Sequence, residues 1–203
     1  MTALKIIAVI VCAYLLGTVN AAYFISKAKK IDMRGEGTGN YGTSNSFVLM
    51  GAKIGVLVAV CDIAKAVVAT LIPRLIFPEL SYIAYVGGAA CVIGHIFPFY
   101  IGFRGGKGFA SYLGMAVVLD WRMGLVLCAV VVVAILISNY MVVGTMLTII
   151  STPIWALFYS GEWIGAIIIA AVSVVIILKH IENFVNICRG TEFKVRAVVF
   201  KKK

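Results

Sequence analysis

The chain has 203 residues, of which 63% are hydrophobic and 13% charged, with a mean hydropathy of +1.07 and a net charge of +10. So little polar residue cannot cover a water-facing surface, which excludes an ordinary soluble domain and leaves lipid as the solvent. In hydrocarbon every backbone polar group must be paired internally, and the apolar runs lack the period-two alternation of barrel strands. The composition therefore predicts an all-α polytopic integral membrane helix bundle, one domain over residues 1–203.

In chain order, Ala3 to Ile25 is long enough to span a bilayer. It lacks the basic start and small-residue cleavage site of a signal peptide, so it reads as a retained span. Polar breaks follow after Ile25, at Pro73 to Leu80, Gly102 to Gly108, Asp120 to Arg122, Ser138 to Tyr140, Ser160 to Glu162, and after Leu178, leaving seven apolar segments. The fourth and fifth, Phe109 to Leu119 and Met123 to Ile137, fall short of the roughly 20 residues a span needs, so they read as tilted, partly re-entrant or one bent hairpin. A five-span alternative merges them, but it buries Asp120 and Arg122 at mid-membrane at a high energetic cost, and about seven helices is the expectation.

Thirteen of the eighteen basic residues lie in the first, third and last breaks: Lys27, Lys29, Lys30, Arg34, Arg104, Lys107, Lys179, Arg189, Lys194, Arg196 and Lys201 to Lys203. The positive-inside rule then puts the N-terminus outside and the C-terminus in the cytoplasm. The positive charge is accounted for by topology and anionic lipid, with no nucleic acid required. Cys12, Cys61, Cys91, Cys128 and Cys188 form no C-x-x-C pair and are expected as buried free thiols; with only two histidines, 85 positions apart, no metal site is expected.

This orientation gathers three glycine-bearing polar stretches on one face. The first, IDMRGEGTGNYGTSN from Ile31 to Asn45, cannot pack a core but can wrap a polar ligand with backbone and side-chain donors. Arg34 suits a bidentate carboxylate or phosphate contact, while Asn40 and Asn45 sit where a helix is expected to begin, fit for an anion or a cap. A solvated loop is the alternative. The second, GHIFPFYIGFRGGKG from Gly94 to Gly108, sets Gly102, Arg104, Gly105, Gly106, Lys107 and Gly108 before an apolar helix start, a pattern suited to an anion held by exposed N–H groups. Gly108 stands where a nucleotide P-loop has Ser or Thr for magnesium, which argues against nucleoside triphosphate. His95 fits either a ligand contact or a structural histidine.

The third stretch, KHIENFVNICRGTE from Lys179 to Glu192, places His180, Asn183 and Phe184 on one helix face, and Glu182 is expected to pair with Lys179 or an arginine. Within the second span, Asp62 and Lys65 are three apart and predict an ion pair facing the bundle interior, with a functional role the alternative because intramembrane charges are costly to keep. Ser138, or Thr145 a turn deeper, is a candidate border of the site, with a helix cap the alternative.

These stretches, in this order, resemble the three motifs of the bacterial acyl-phosphate:glycerol-3-phosphate acyltransferase family, the PlsY type. The likeness runs from Met33-Arg34 through Gly37-Thr38-Gly39-Asn40 to Asn45, then through every fixed position of Gly94 to Gly108, then His180, Glu182, Asn183 and Gly190-Thr191-Glu192. Asp62-Ile63-Ala64-Lys65 matches as well. Tyr41 replaces the usual Pro, Thr38 the usual Ser and Ile181 the usual Arg, and Ser138-Asn139-Tyr140-Met141-Val142 stands for the usual T-R-Y-V-S.

The resemblance implies acyl transfer from acyl phosphate to the 1-hydroxyl of glycerol 3-phosphate at the cytoplasmic face of a bacterial membrane, without a cofactor. It implies catalytic roles for Ser26, Arg34, His180 and Asn183, and a phosphate cradle in the second loop with Lys107. A membrane transporter or a non-catalytic binding protein for a phosphorylated small molecule is the alternative; the absence of visible inverted repeats counts against transport.

Overall fold

The computed structural model describes residues 1–199, and Lys201 to Lys203 lie outside the described residues. The chain folds as ten α-helices with no strand among those residues: α1 (Thr2–Thr18), α2 (Ala21–Lys29), α3 (Thr43–Met50), α4 (Ala52–Ile76), α5 (Ile83–Ile96), α6 (Phe109–Leu119), α7 (Trp121–Ser138), α8 (Met141–Phe158), α9 (Trp163–Cys188) and α10 (Val195–Val199). Six stretches are long and apolar enough to cross a membrane, with α1 and α2 together counting as one, and α6 is a seventh, shorter apolar helix. The expected seven segments are therefore present. Asp120 separates α6 from α7 by capping the latter through Arg122 N, and its other oxygen accepts from Trp155 Nε1 at 3.1 Å. The merged alternative is thus ruled out, because Asp120 ends α6 with its backbone N–H on Ala116 O and starts α7 with its carboxylate.

The first span is broken where the sequence reading has it continuous. Between α1 and α2, Asn20 takes an extended conformation and accepts from Tyr23 N at 2.9 Å. A break inside an apolar bundle frees carbonyls that lipid cannot solvate, and side chains must pair them. Tyr100 donates to Thr18 O at 2.7 Å and Lys65 to Val19 O at 2.8 Å. Pro153 creates the same need within α8, since proline leaves the Ile149 carbonyl without its helical donor. Ser173 of α9 supplies it at 2.9 Å.

Packing follows small residues. α1 lies against α5 and α4; α4 also contacts α3 and α6; α9 touches α5 and α8; and α7 bridges α6 and α8. At the α1–α5 crossing Gly17 faces the Cys91 backbone and Gly94 the Tyr14 carbonyl, so closely that a Cβ at either would overlap main chain. Four cysteines depart from expectation: only Cys91 is buried, whereas Cys12, Cys61, Cys128 and Cys188 are on the outer surface. In lipid an apolar thiol is as well solvated outside the bundle as inside it.

Helix lengths place the glycine loop. At 1.5 Å per residue, the 25 residues of α4 run about 37 Å, but the 14 of α5 and 11 of α6 only about 21 and 16 Å. At the end of α5, His95 reaches Asp62 near the middle of α4, and in the loop that follows Gly105 and Gly106 are buried while Gly102 to Arg104 are exposed.

Candidate functional site

The first loop is built around Asn45. Fully buried in the first turn of α3, its side chain accepts from Thr38 N at 2.7 Å and donates to Met33 O at 2.8 Å and Asn40 O at 2.9 Å. Gly37 and Gly39 take positive φ values, 64° and 69°, that fold the loop around that amide. Asp32 accepts from Arg34 N and Gly35 N, orienting Arg34. The Arg34 guanidinium reaches across to donate to Ile101 O and Arg104 O, and it lies 5.2 Å from the centre of the Tyr41 ring.

The second loop closes on its own helix end. Gly105 N bonds Ile96 O at 3.0 Å and Gly106 N bonds His95 O at 3.2 Å, while Tyr41 N donates to Gly105 O at 3.3 Å, stitching the two loops together. Gly108, at φ 93°, turns the chain into α6. Lys107 donates to Asn183 Oδ1 on α9, and Asn183 Nδ2 in turn donates to Glu192 Oε1 at 2.6 Å. Burial pushes the Lys107 pKa below the usual lysine range, against the opposing pull of Glu192 and Glu182. His180, one turn before Asn183 on the same buried face, donates from Nδ1 to Ile176 O at 2.8 Å, which leaves Nε2 as the acceptor of the neutral ring.

The tail closes the arrangement. After α9, Glu192 and Phe193 border the site; then Val195 N bonds Asn139 O at 3.0 Å, Arg196 N bonds Asn139 Oδ1 at 2.8 Å, and the Arg196 side chain donates to Leu136 O.

Two cavities open between these elements. One, about 430 Å³, is lined by Arg34, Arg104, Gly105, Gly106, Lys179 and Glu182. The other, about 260 Å³, has Phe47, Ile63, Leu113, Val131 and Val142 along its walls, with His95, His180 and Asn183 at its polar end. Thr38, Asn40 and Lys107 line both, so a basic chamber and an apolar one meet at a single ammonium.

Of the residues singled out from sequence, Arg34, Asn40, His95, Arg104, Gly105, Gly106, Lys107, Gly108, His180 and Asn183 line one cavity or both. Four do not. Ser26 is buried and donates to Tyr23 O within α2; Asn45 spends its amide on the loop backbone. Gly102 sits at φ 69° on an exposed turn, and Ser138 donates to Ala134 O at the end of α7. Phe184 is 41% exposed, on the outer edge of the helix face that buries His180 and Asn183. Glu182 makes no ion pair among the described residues and faces the basic chamber. Thr43 and Ser44, which are not among the residues singled out from sequence, also line the apolar chamber; the Thr43 hydroxyl is buried without a partner among the described residues. A hydroxyl pair opening a helix next to the glycine-rich stretch was the available signal.

A basic chamber joined to an apolar one, sunk in a polytopic bundle, defines an integral membrane protein shaped for amphiphiles that carry an anionic group. The chain belongs to the glycerol-3-phosphate acyltransferase family, whose family model matches residues 7–190. Similar proteins include the glycerol-3-phosphate acyltransferase of Lactiplantibacillus plantarum, 32% identical over 93% of this chain and 91% of that protein. Those of Coxiella burnetii and Listeria monocytogenes are 35% and 36% identical, covering 92% and 91% of this chain and 96% and 93% of theirs. Two crystal structures of PlsY (YgiH), an integral membrane glycerol 3-phosphate acyltransferase, superpose on this fold. The glycerol 3-phosphate form gives a TM-score of 0.89 and the lysophosphatidic acid form 0.85, each at 30% identity over 97% of this chain and 99% of the other.

Proposed function

We propose that the protein transfers a fatty acyl group from acyl phosphate to the 1-hydroxyl of glycerol 3-phosphate, yielding lysophosphatidic acid and inorganic phosphate. The basic residues concentrated at the site end support a cytoplasmic active site in the bacterial cytoplasmic membrane, with the N-terminus outside. One observation carries the reading: the junction of the basic and apolar chambers at Lys107. Both substrates bear a phosphate for Arg34, Arg104, Lys107 and the loop amides, and the acyl tail matches the apolar chamber.

Acyl phosphate is an activated donor, so the protein has chiefly to position the hydroxyl and stabilise the oxyanion. The glycerol oxygen bonds to the acyl carbonyl carbon, the carbon–oxygen bond to the donor phosphate breaks, and the proton goes to His180 Nε2 or to the departing phosphate. Asn183, held between Lys107 and Glu192, fixes the ammonium beside the reacting groups. No covalent acyl-enzyme is needed.

Purified protein in detergent, given acyl phosphate and glycerol 3-phosphate, is expected to release phosphate only with both substrates present, and Lys107→Ala to abolish the release. Uptake of glycerol 3-phosphate into liposomes without phosphate release would instead identify a transporter.

A further inference from the structure

Deep in the bundle, Lys65 Nζ lies 2.8 Å from Asp62 Oδ1, and His95 Nδ1 lies 3.1 Å from the same oxygen and 3.0 Å from Nζ. The three side chains are 6%, 2% and 3% exposed. Keeping such charges in a membrane protein is costly, and an ion pair alone is weak evidence of a stabilising role. What distinguishes this cluster is what else it holds. Lys65 also donates to Val19 O at the α1–α2 break, next to Asn20, whose amide donates to Tyr41 O at 3.0 Å in the first loop. His95 receives Gly106 N on its carbonyl and sets its ring edge against Gly106 in the second loop. An imidazole Nδ1 serves Asp62 or Lys65 but not both at once, and either bond fixes the ring at the same place.

We propose that Asp62 and Lys65 are positioning residues that act through His95 and Val19 to hold the two anion loops at the spacing a phosphate requires, and so set affinity for glycerol 3-phosphate. The inference rests on the substrate assignment made above. Neither Asp62 nor Lys65 lines the cavities, so the action is exerted through the loops and not on the reacting atoms.

The test separates positioning from charge neutralisation. In the double variant Asp62→Asn/Lys65→Met both charges vanish together, which removes the penalty of an unpaired buried ion. The expected result is a monodisperse protein in detergent whose KM for glycerol 3-phosphate rises about tenfold or more while kcat stays within about threefold, the size of effect that supporting residues exert on a site. Asp62→Asn alone, isosteric and with an amide oxygen that can still accept from both neighbours but carries no charge to hold them, gives a second measurement should the double variant not assemble, and the same split in smaller measure is expected. Calorimetric titration with glycerol 3-phosphate repeats the comparison without turnover. A native KM and native affinity in a folded variant overturn the proposal and leave the pair a structural one. A fall in kcat at unchanged KM overturns it too. Wild-type protein that binds no glycerol 3-phosphate sinks the substrate assignment and the proposal together, whereas wild-type binding with unaltered variants sinks the proposal alone.

Discussion

Gly106→Ala isolates the contact between the glycine loop and His95. Gly106 has no positive φ, so alanine suits its backbone and any effect must come from space. A Cβ there would lie 2.8 Å from His95 Cε1 and 3.2 Å from Cδ2, against 3.4–4 Å for ordinary contact, with the overlap at Nε2 greater still. The ring cannot swing aside, because Nδ1 is held between Asp62 and Lys65. The loop must therefore move, by about 1 Å, and a displacement of that size near reacting groups lowers kcat/KM by up to about 100-fold, or about 2.7 kcal/mol of transition-state stabilisation. Phosphate release measured across glycerol 3-phosphate concentrations gives the ratio. Gly102→Ala is the control: it strains a φ of 69° in open space and is expected to keep near-native kcat/KM. A Gly106→Ala enzyme within threefold of wild type would refute the claim that His95 backs the loop rigidly.

Three further outcomes are expected. His180→Ala should lower kcat by about 100-fold or more with little change in KM, as loss of a base does, and near-native turnover would rule out the imidazole in that role. Because burial lowers the Lys107 pKa, phosphate affinity should fall on the alkaline side at a pH below the ordinary lysine range, and Glu192→Gln, which removes a charge that favours the ammonium, should move that limb to lower pH; KM against pH for both proteins checks it. Gly17→Leu should open the α1–α5 crossing against the Cys91 backbone and destabilise the fold by about 1–3 kcal/mol or prevent assembly, seen as a lower melting temperature in detergent.

What could be read from the sequence depended on whether the signal lay in the backbone or in a side chain's direction. The seven segments were legible because hydropathy and Asp120 mark ends, and the meeting of the three polar stretches followed from counting spans. The second glycine-rich loop was legible as a place of close backbone approach, and what approaches Gly105 and Gly106 is His95 and Pro98. Direction was harder. Asn45 and Ser26 carry chemistry that suits a ligand, yet both satisfy backbone groups, a choice made by loop closure many residues away. The outward-facing cysteines and Phe184 went the same way, for in lipid an apolar side chain meets no penalty on the outer surface. The α1–α2 break was missed because Val19 and Asn20 interrupt the apolar run too briefly to register, though Asn20 was the cap.

The tail after α9 is fastened twice, by Glu192 to Asn183 and by Val195 and Arg196 to the end of α7. It runs from the wall of the apolar chamber, lined there by Glu192 and Phe193, to the end of α7, with only three peptide bonds between Glu192 and Val195. One short run of chain thus joins the end of α7 to the ammonium at the junction of the two chambers.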